Sequence, residues 1–325
     1  MTIKCMKERN ISIDVLKCFA AILITNSHMG ILYGDYSVLA TGGAMGDFLF
    51  FFCSGFTLFL GRMGRFDNWY KRRINRIYPT IFAWAILTSF FFNNHNDMKD
   101  VLLKGGGWFI SCIMIYYVFL YFIQRYFLHK LIGVFLMFVL LFVCCFFTFD
   151  RGLGFNMYGG SVLRYVFSFL PMLLGAIIGI SKKDFHFCFK FDFTKLMLNV
   201  VLYYGIMFLT TRITLVREWQ IISLIPLLSI TYYFYKVCNS QFLKSCFEHK
   251  IGGWGIKFIG GLCLEIYLVQ SPLFTDKMNA VFPLNILIMF FIVFGAAYVL
   301  RCASRVFAQT FKEQEYNWKE VIKMI

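Results

Sequence analysis

Charge is what this sequence has least of. Only 15% of its 325 residues are Asp, Glu, Lys or Arg, just 17 of these are acidic, and the hydrophobic fraction is 59%. Soluble domains carry about a quarter charged residues. A water-soluble core of this length would leave its surface without enough charge to cover it, whereas lipid-facing helices need little. A soluble globular domain is thereby excluded, and the expected class is an all-α polytopic integral membrane protein. Metal and redox patterns are lacking as well. The eleven Cys lie in apolar stretches, such as Cys18, Cys53 and Cys112, or in basic segments between them, with no C-x-x-C pair and no Cys/His cluster at zinc spacing. No disulfide framework and no metal site follow. The net charge of +15 is spread between apolar runs rather than gathered on one soluble face, which argues against a nucleic-acid partner.

Ten apolar runs approach or reach the length that spans hydrocarbon as a helix: 11–33, 44–60, 77–92, 108–124, 131–149, 162–180, 196–210, 221–237, 258–275 and 281–300. Of the 32 Lys and Arg, 24 fall on one set of alternating connections and the termini. Only Lys99, Lys104, Arg151, Arg212, Arg217 and Lys277 fall on the other, and Lys17 and Arg164 lie inside runs. The positive-inside rule then puts both termini in the cytoplasm. Asp14 and Lys17 interrupt the first run, so it stays attached as a span rather than serving as a signal peptide. Residues 1–300 read as a single transmembrane domain. In 301–325, Phe307, Phe311, Trp318 and Ile322 recur at helical spacing and predict an interfacial cytoplasmic tail. The strict alternation of Phe at 185, 187, 189, 191 and 193 predicts an extended edge lying on the membrane surface.

Ionisable groups inside spans cost about 2.5–3.5 kcal/mol each on insertion scales and mark candidate functional sites. Asp14 and Lys17 stand at i,i+3 in the first run. Lys17 and His28 are eleven positions apart, close to three turns, so they share a face about 16 Å apart. Lys17 reads equally well as a snorkelling anchor, and His28 as a helix-packing hydrogen bond. In the second run, small residues precede Asp47, whose carboxylate sits at the same end as His28 and could orient the imidazole or cap a helix. Ser54 and Gly55 read as close-packing residues, since the spacing around Ser54 is no nucleophile elbow. Arg73 and Arg76 share one face at the basic end of the third run, where paired guanidinium forks suit phosphates and also satisfy ordinary anchoring. Glu265 and Gln270 in the ninth run, and Arg164 in the sixth, could face a central cavity. Glu265 could neutralise Arg164 or Lys17, and the sequence does not choose.

The order and spacing of these residues resemble the membrane acyltransferase family 3 over nearly the whole chain, from about Asn10 to Leu300. The first-span motif is matched by Ile13-Asp14-Val15-Leu16-Lys17 and His28. The second is matched by Gly43, Asp47, Phe51, Phe52, Ser54, Gly55 and Phe56. The Arg-x-x-Arg motif is matched by Arg73 and Arg76, and later segments by Trp108-Phe109-Ile110 and Ile266-Tyr267-Leu268. Two positions depart from the pattern: Lys17 stands where the family has Arg, and Gln270 where it often has His.

The resemblance implies acyl transfer from a cytoplasmic acyl-CoA, acetyl-CoA first, to a sugar hydroxyl of a surface polysaccharide or its lipid-linked precursor in the bacterial cytoplasmic membrane. His28 would be base or transient acyl carrier, Lys17 and Asp47 its catalytic partners, and Arg73 and Arg76 the donor-binding cations. Asp14, Trp108, Glu265 and Gln270 are candidates for substrate contact. No metal is implied. A transporter of lipid-linked sugar is the rival reading, and it would call for internal repeats.

Overall fold

The structure, a computed structural model, describes residues 10–92, 97–149, 155–159, 162–181 and 185–324. Among the described residues every regular element is a helix, and the protein is an all-α polytopic membrane protein. The principal helices in chain order are α1 (Ile11–His28), α2 (Gly43–Phe59), α3 (Phe66–Phe92), α4 (Gly107–Tyr126), α5 (Leu131–Thr148), α6 (Phe169–Ile180), α7 (Phe189–Arg212), α8 (Leu224–Asn239), α9 (Lys250–Gly261), α10 (Cys263–Leu273) and α11 (Leu284–Thr310).

Each of the ten apolar runs falls on helix, but fewer than ten helices qualify as spans. Among the described residues six are long and apolar enough to cross alone. Two bent pairs, Gly30–Leu39 with α2 (101°) and α9 with α10 (71°), bring the number to eight at most. The third and sixth runs fall short of that standard. Half of α3 is an Arg-rich approach to its apolar part, and the sixth run, Arg164–Ile180, is a shorter apolar helix.

The first helix starts where its sequence provides a cap: the Asn10 side chain accepts the Ser12 N–H at 3.0 Å. It ends at His28, after which the chain passes through a short helix and a 3₁₀ segment and turns at Gly42, whose φ of +102° admits glycine without strain. Asn26 holds this loop by donating to the carbonyls of Leu39 and Thr41 and accepting from the Tyr33 hydroxyl.

Helix α1 is central, packed by α2, α8, α9 and α10, and 56% of it is buried. By contrast α5 and α7 are only 17% buried and present Leu136, Leu140, Leu198 and Val201 outward, as lipid-facing helices do. Among the crossings that bring backbones into contact, two bear on the site. A Cβ on Gly55 would lie 1.8 Å from the Met172 carbonyl oxygen, and one on Gly260 would lie 2.8 Å from that of Asp14. The first locks α2 to α6, and the second seats α9 on α1 beside Lys17.

The alternating Phe segment is corrected. Only 185–188 is non-helical, with Phe185 and Phe187 edge-on to Tyr235, while α7 begins at Phe189. Asp192 explains that start. It accepts the Cys188 N–H at 2.9 Å and pairs with Lys236 at 2.7 Å, so the first turn has a polar partner the Phe pattern does not reveal. At the other end of the chain, α11 runs on through residue 301 to Thr310, and the segment after it folds back so that the Tyr298 hydroxyl donates to the Ile322 carbonyl.

The Gly55 crossing makes a direct prediction. Gly55→Ala should lower stability by about 1–3 kcal/mol through forced overpacking, read as a lower unfolding temperature in detergent. Gly205→Ala, with open space around it, should leave that temperature unchanged or raise it slightly.

Candidate active site

At the basic end of the bundle, helices α1, α2, α3, α4, α9, α10 and α11 surround a cavity of about 730 Å³, within the usual range for a ligand pocket. Its wall carries six cations, Lys17, Arg72, Arg73, Arg76, Arg301 and Arg305, and one carboxylate, Glu265. Helical periodicity explains the trio from α3, since 72, 73 and 76 lie within little more than one turn. Arg73 is held in place: its guanidinium stacks on Trp69 at 3.8 Å and donates to the Trp69 carbonyl at 2.8 Å.

The buried carboxylate has one dominant partner. Arg301 binds Glu265 with both forks, Nε to Oε1 at 2.6 Å and Nη2 to Oε2 at 2.8 Å, and Nη2 also donates to the Gly261 carbonyl. Thr80 adds a long 3.5 Å contact to Oε1 and a 2.9 Å hydrogen bond to Ser304. Glu265 is thus neutralised by neither Lys17 nor Arg164. Arg301 and Arg305, which the sequence reading placed in the tail, belong to the cavity wall, and Arg305 also donates to the carbonyls of Val321 and Lys323.

A second, small cavity of about 20 Å³ lies further along α1, lined by Ala21, Ile24 and Thr25 together with Ile266, Tyr267 and Gln270. Phe50, Phe109 and Cys263 line both cavities. These three side chains are the neck between them. Cys263 is anchored there by its thiol, which donates to the Lys17 carbonyl at 3.5 Å and to that of Gly260 at 3.3 Å.

His28 stands just beyond the small cavity at the end of α1. Its Nδ1 is 2.8 Å from the Ile24 carbonyl and 3.3 Å from the Gln270 amide. A carbonyl oxygen only accepts, so Nδ1 carries the proton and Nε2 is the basic nitrogen. The side chain is exposed at the last turn of α1.

Among the described residues no hydrogen bond or ion pair joins Asp47 to His28. Asp47 lies instead where it feels the charge of Arg164. The Arg164 guanidinium sits 4.4 Å above the Trp108 ring, and its buried Nε has no partner among the described residues. Trp108 and Arg164 therefore form a second group, with Asp47 within reach of its positive charge. Asp14 is 5% exposed in the first turn of α1, next to the α9 crossing.

A family model described as an acyltransferase domain, that of acyltransferase family 3, matches residues 10–302. The chain belongs to acyltransferase family 3. No curated protein and no solved structure matches it. The matched range contains His28, the Glu265–Arg301 pair, the small cavity and all of the large cavity's lining but Ser304, Arg305 and Ala308, so this family 3 protein is a membrane acyltransferase whose polar interior is built mainly from the family's own domain.

Sequence reasoning missed Arg301, Arg305 and Thr25. The two arginines fall after the last apolar residue of their run, so only the continuation of α11 could reveal them. Thr25 stands three residues before His28 on the same face, a signal that was present and unread.

Removing one member of the Glu265–Arg301 pair strands a buried charge. Arg301→Ala should cost about 3 kcal/mol, measured as a fall in unfolding temperature in detergent, and the Glu265→Gln, Arg301→Gln double variant should recover a large part of that loss.

Proposed function

We propose that this acyltransferase moves an acyl group from a cytoplasmic acyl-CoA, acetyl-CoA being the first donor to try, to a sugar hydroxyl of a surface polysaccharide or its lipid-linked precursor. The observation that carries this reading is the cavity with six cations and one carboxylate, joined through a narrow aromatic neck to a buried polar site beside a histidine. Multiply phosphorylated donors need several cations, and arginine forks hold phosphate better than lysine. Arg73 and Arg76 would take the coenzyme A phosphates with help from Arg72 and Arg301. Lys17 would meet the donor at the inner end of the cavity, where Gly260 allows α9 to close over it.

The neck supports the reading in a second way. An acyl thioester hydrolyses if water reaches it alongside the acceptor, and Phe50 and Phe109, 5.0 Å apart at an edge-to-face angle, close the path to solvent. The acceptor hydroxyl would lose its proton to His28 Nε2 as it attacks the thioester, or Nε2 would itself take the acyl group first and, once the acyl group has passed to the hydroxyl, be freed to take that proton. Asp47, Arg164 and the Trp108 face would receive the sugar. The distribution of Lys and Arg supports cytoplasmic termini, with the cation cavity opening inward and His28 toward the outer face, and the family resemblance is what suggests a bacterial cytoplasmic membrane.

Purified protein in detergent should transfer label from radioactive acetyl-CoA to a glycan acceptor or release it by hydrolysis. His28→Ala should reduce turnover by about 10²–10⁴-fold while still binding coenzyme A. Arg73→Ala combined with Arg76→Ala should abolish coenzyme A binding. Transfer that survives His28→Ala would overturn the assignment of the base, and a binding constant indifferent to the double arginine change would overturn the donor site.

A further inference from the structure

The small cavity next to His28 has two unusual walls. Thr25 is fully buried, and its hydroxyl, which in a helix ordinarily donates to a carbonyl one turn back, has no partner among the described residues. Gln270 is 3% exposed and its amide oxygen likewise has none, while its amide nitrogen lies 3.3 Å from His28 Nδ1. Two orphaned polar groups in so apolar a neck are costly unless something binds them.

The chemistry of Nδ1 decides what they offer. Nδ1 donates to the Ile24 carbonyl, so the Gln270 atom that faces it must be an acceptor. Amide oxygen and nitrogen are distinguished by their hydrogen bonds. With the Gln270 amide turned accordingly, its oxygen accepts from Nδ1–H and its NH₂ group is the one left for the cavity. The cavity then meets two donors, the Thr25 hydroxyl and the Gln270 NH₂. The Cys263 thiol on its wall is occupied by the Lys17 and Gly260 carbonyls. Its volume of about 20 Å³ suits a single oxygen atom, since about 10–15 Å³ is enough for one water.

We propose that Thr25 and Gln270 form the site for the thioester carbonyl oxygen of the acyl donor, and that Gln270 at the same time positions the His28 imidazole. This rests on the donor reading given above. Thr25 lies one turn of α1 below His28, on the side from which a donor held in the large cavity would arrive. The acceptor hydroxyl oxygen bonds to the carbonyl carbon as its proton passes to Nε2. The C=O electron pair moves onto oxygen, where the Thr25 O–H and Gln270 N–H stabilise it. The pair then returns, the carbon–sulfur bond breaks, and the thiolate takes the proton from Nε2, leaving ester and coenzyme A.

Two unreactive donor analogues test the site by binding: S-ethyl-coenzyme A, a thioether with no carbonyl, and the ketone analogue of acetyl-CoA in which CH₂ replaces sulfur. Wild-type protein should bind the ketone about tenfold more tightly than the thioether. Thr25→Val, which keeps the side-chain shape, should erase that preference and leave thioether binding unchanged, and Thr25→Ser should restore it. With acetyl-CoA, Thr25→Val should lower kcat by about 10²-fold with little change in KM. A ketone preference that persists in Thr25→Val, or equal binding of the two analogues by wild-type protein, would overturn the carbonyl site while leaving the donor cavity standing. Failure of both analogues and of coenzyme A itself to bind would overturn the donor reading.

Discussion

A polar side chain inside a membrane protein is tolerable only where other protein encloses it, and in this molecule that condition is met by burying one helix. Helix α1 is gripped by α2, α8, α9 and α10, and its closest approaches are made where a glycine on the neighbour leaves backbone against backbone, as Gly260 does at Asp14. Lys17, Thr25 and His28 all lie on α1. Without its enclosure these groups would face lipid, and neither cavity would exist.

Enclosure also sorts the polar groups by depth. At the basic end the Glu265–Arg301 pair holds a carboxylate among six cations, so the cavity keeps a surplus of positive charge while its one anion is satisfied. Beyond it the wall narrows to Phe50, Phe109 and Cys263, and past these side chains come two small uncharged groups, Thr25 and Gln270, beside a histidine whose Nδ1 carries a proton. A path that runs from charge through an apolar neck to an uncharged donor pair suits a substrate with a phosphorylated head and a thioester tip, which is the donor proposed for this family 3 enzyme. Ring orientation falls to Ile24 and Gln270 rather than to Asp47, which lies within reach of the Arg164 charge.

The fold class was legible in the chain because lipid is a severe solvent: few charges and long apolar runs have no other stable outcome than helices in a membrane. The same severity made Lys17, His28, Asp47 and Arg73 conspicuous, and the resemblance they carry is matched by the family model over residues 10–302. Local periodicity misled at 185–193, where a helix start set by Asp192 outweighed the alternation of Phe. Nor does a run of apolar residues say whether its helix bends, as α9 and α10 do by 71°.

Pairing was decided by tertiary structure alone. Arg301 meets Glu265 from 36 positions away and Gln270 meets His28 from 242 positions away. Contact between such residues depends on how helices cross, which one-dimensional spacing does not encode. Composition and hydropathy determined that this chain would be a helical membrane protein with a polar seam in its first span, because the transfer cost of each side chain is a local property. Which partner satisfies each buried group, and where a cavity remains for a substrate, emerged only when α1 was enclosed, because those are properties of pairs and volumes.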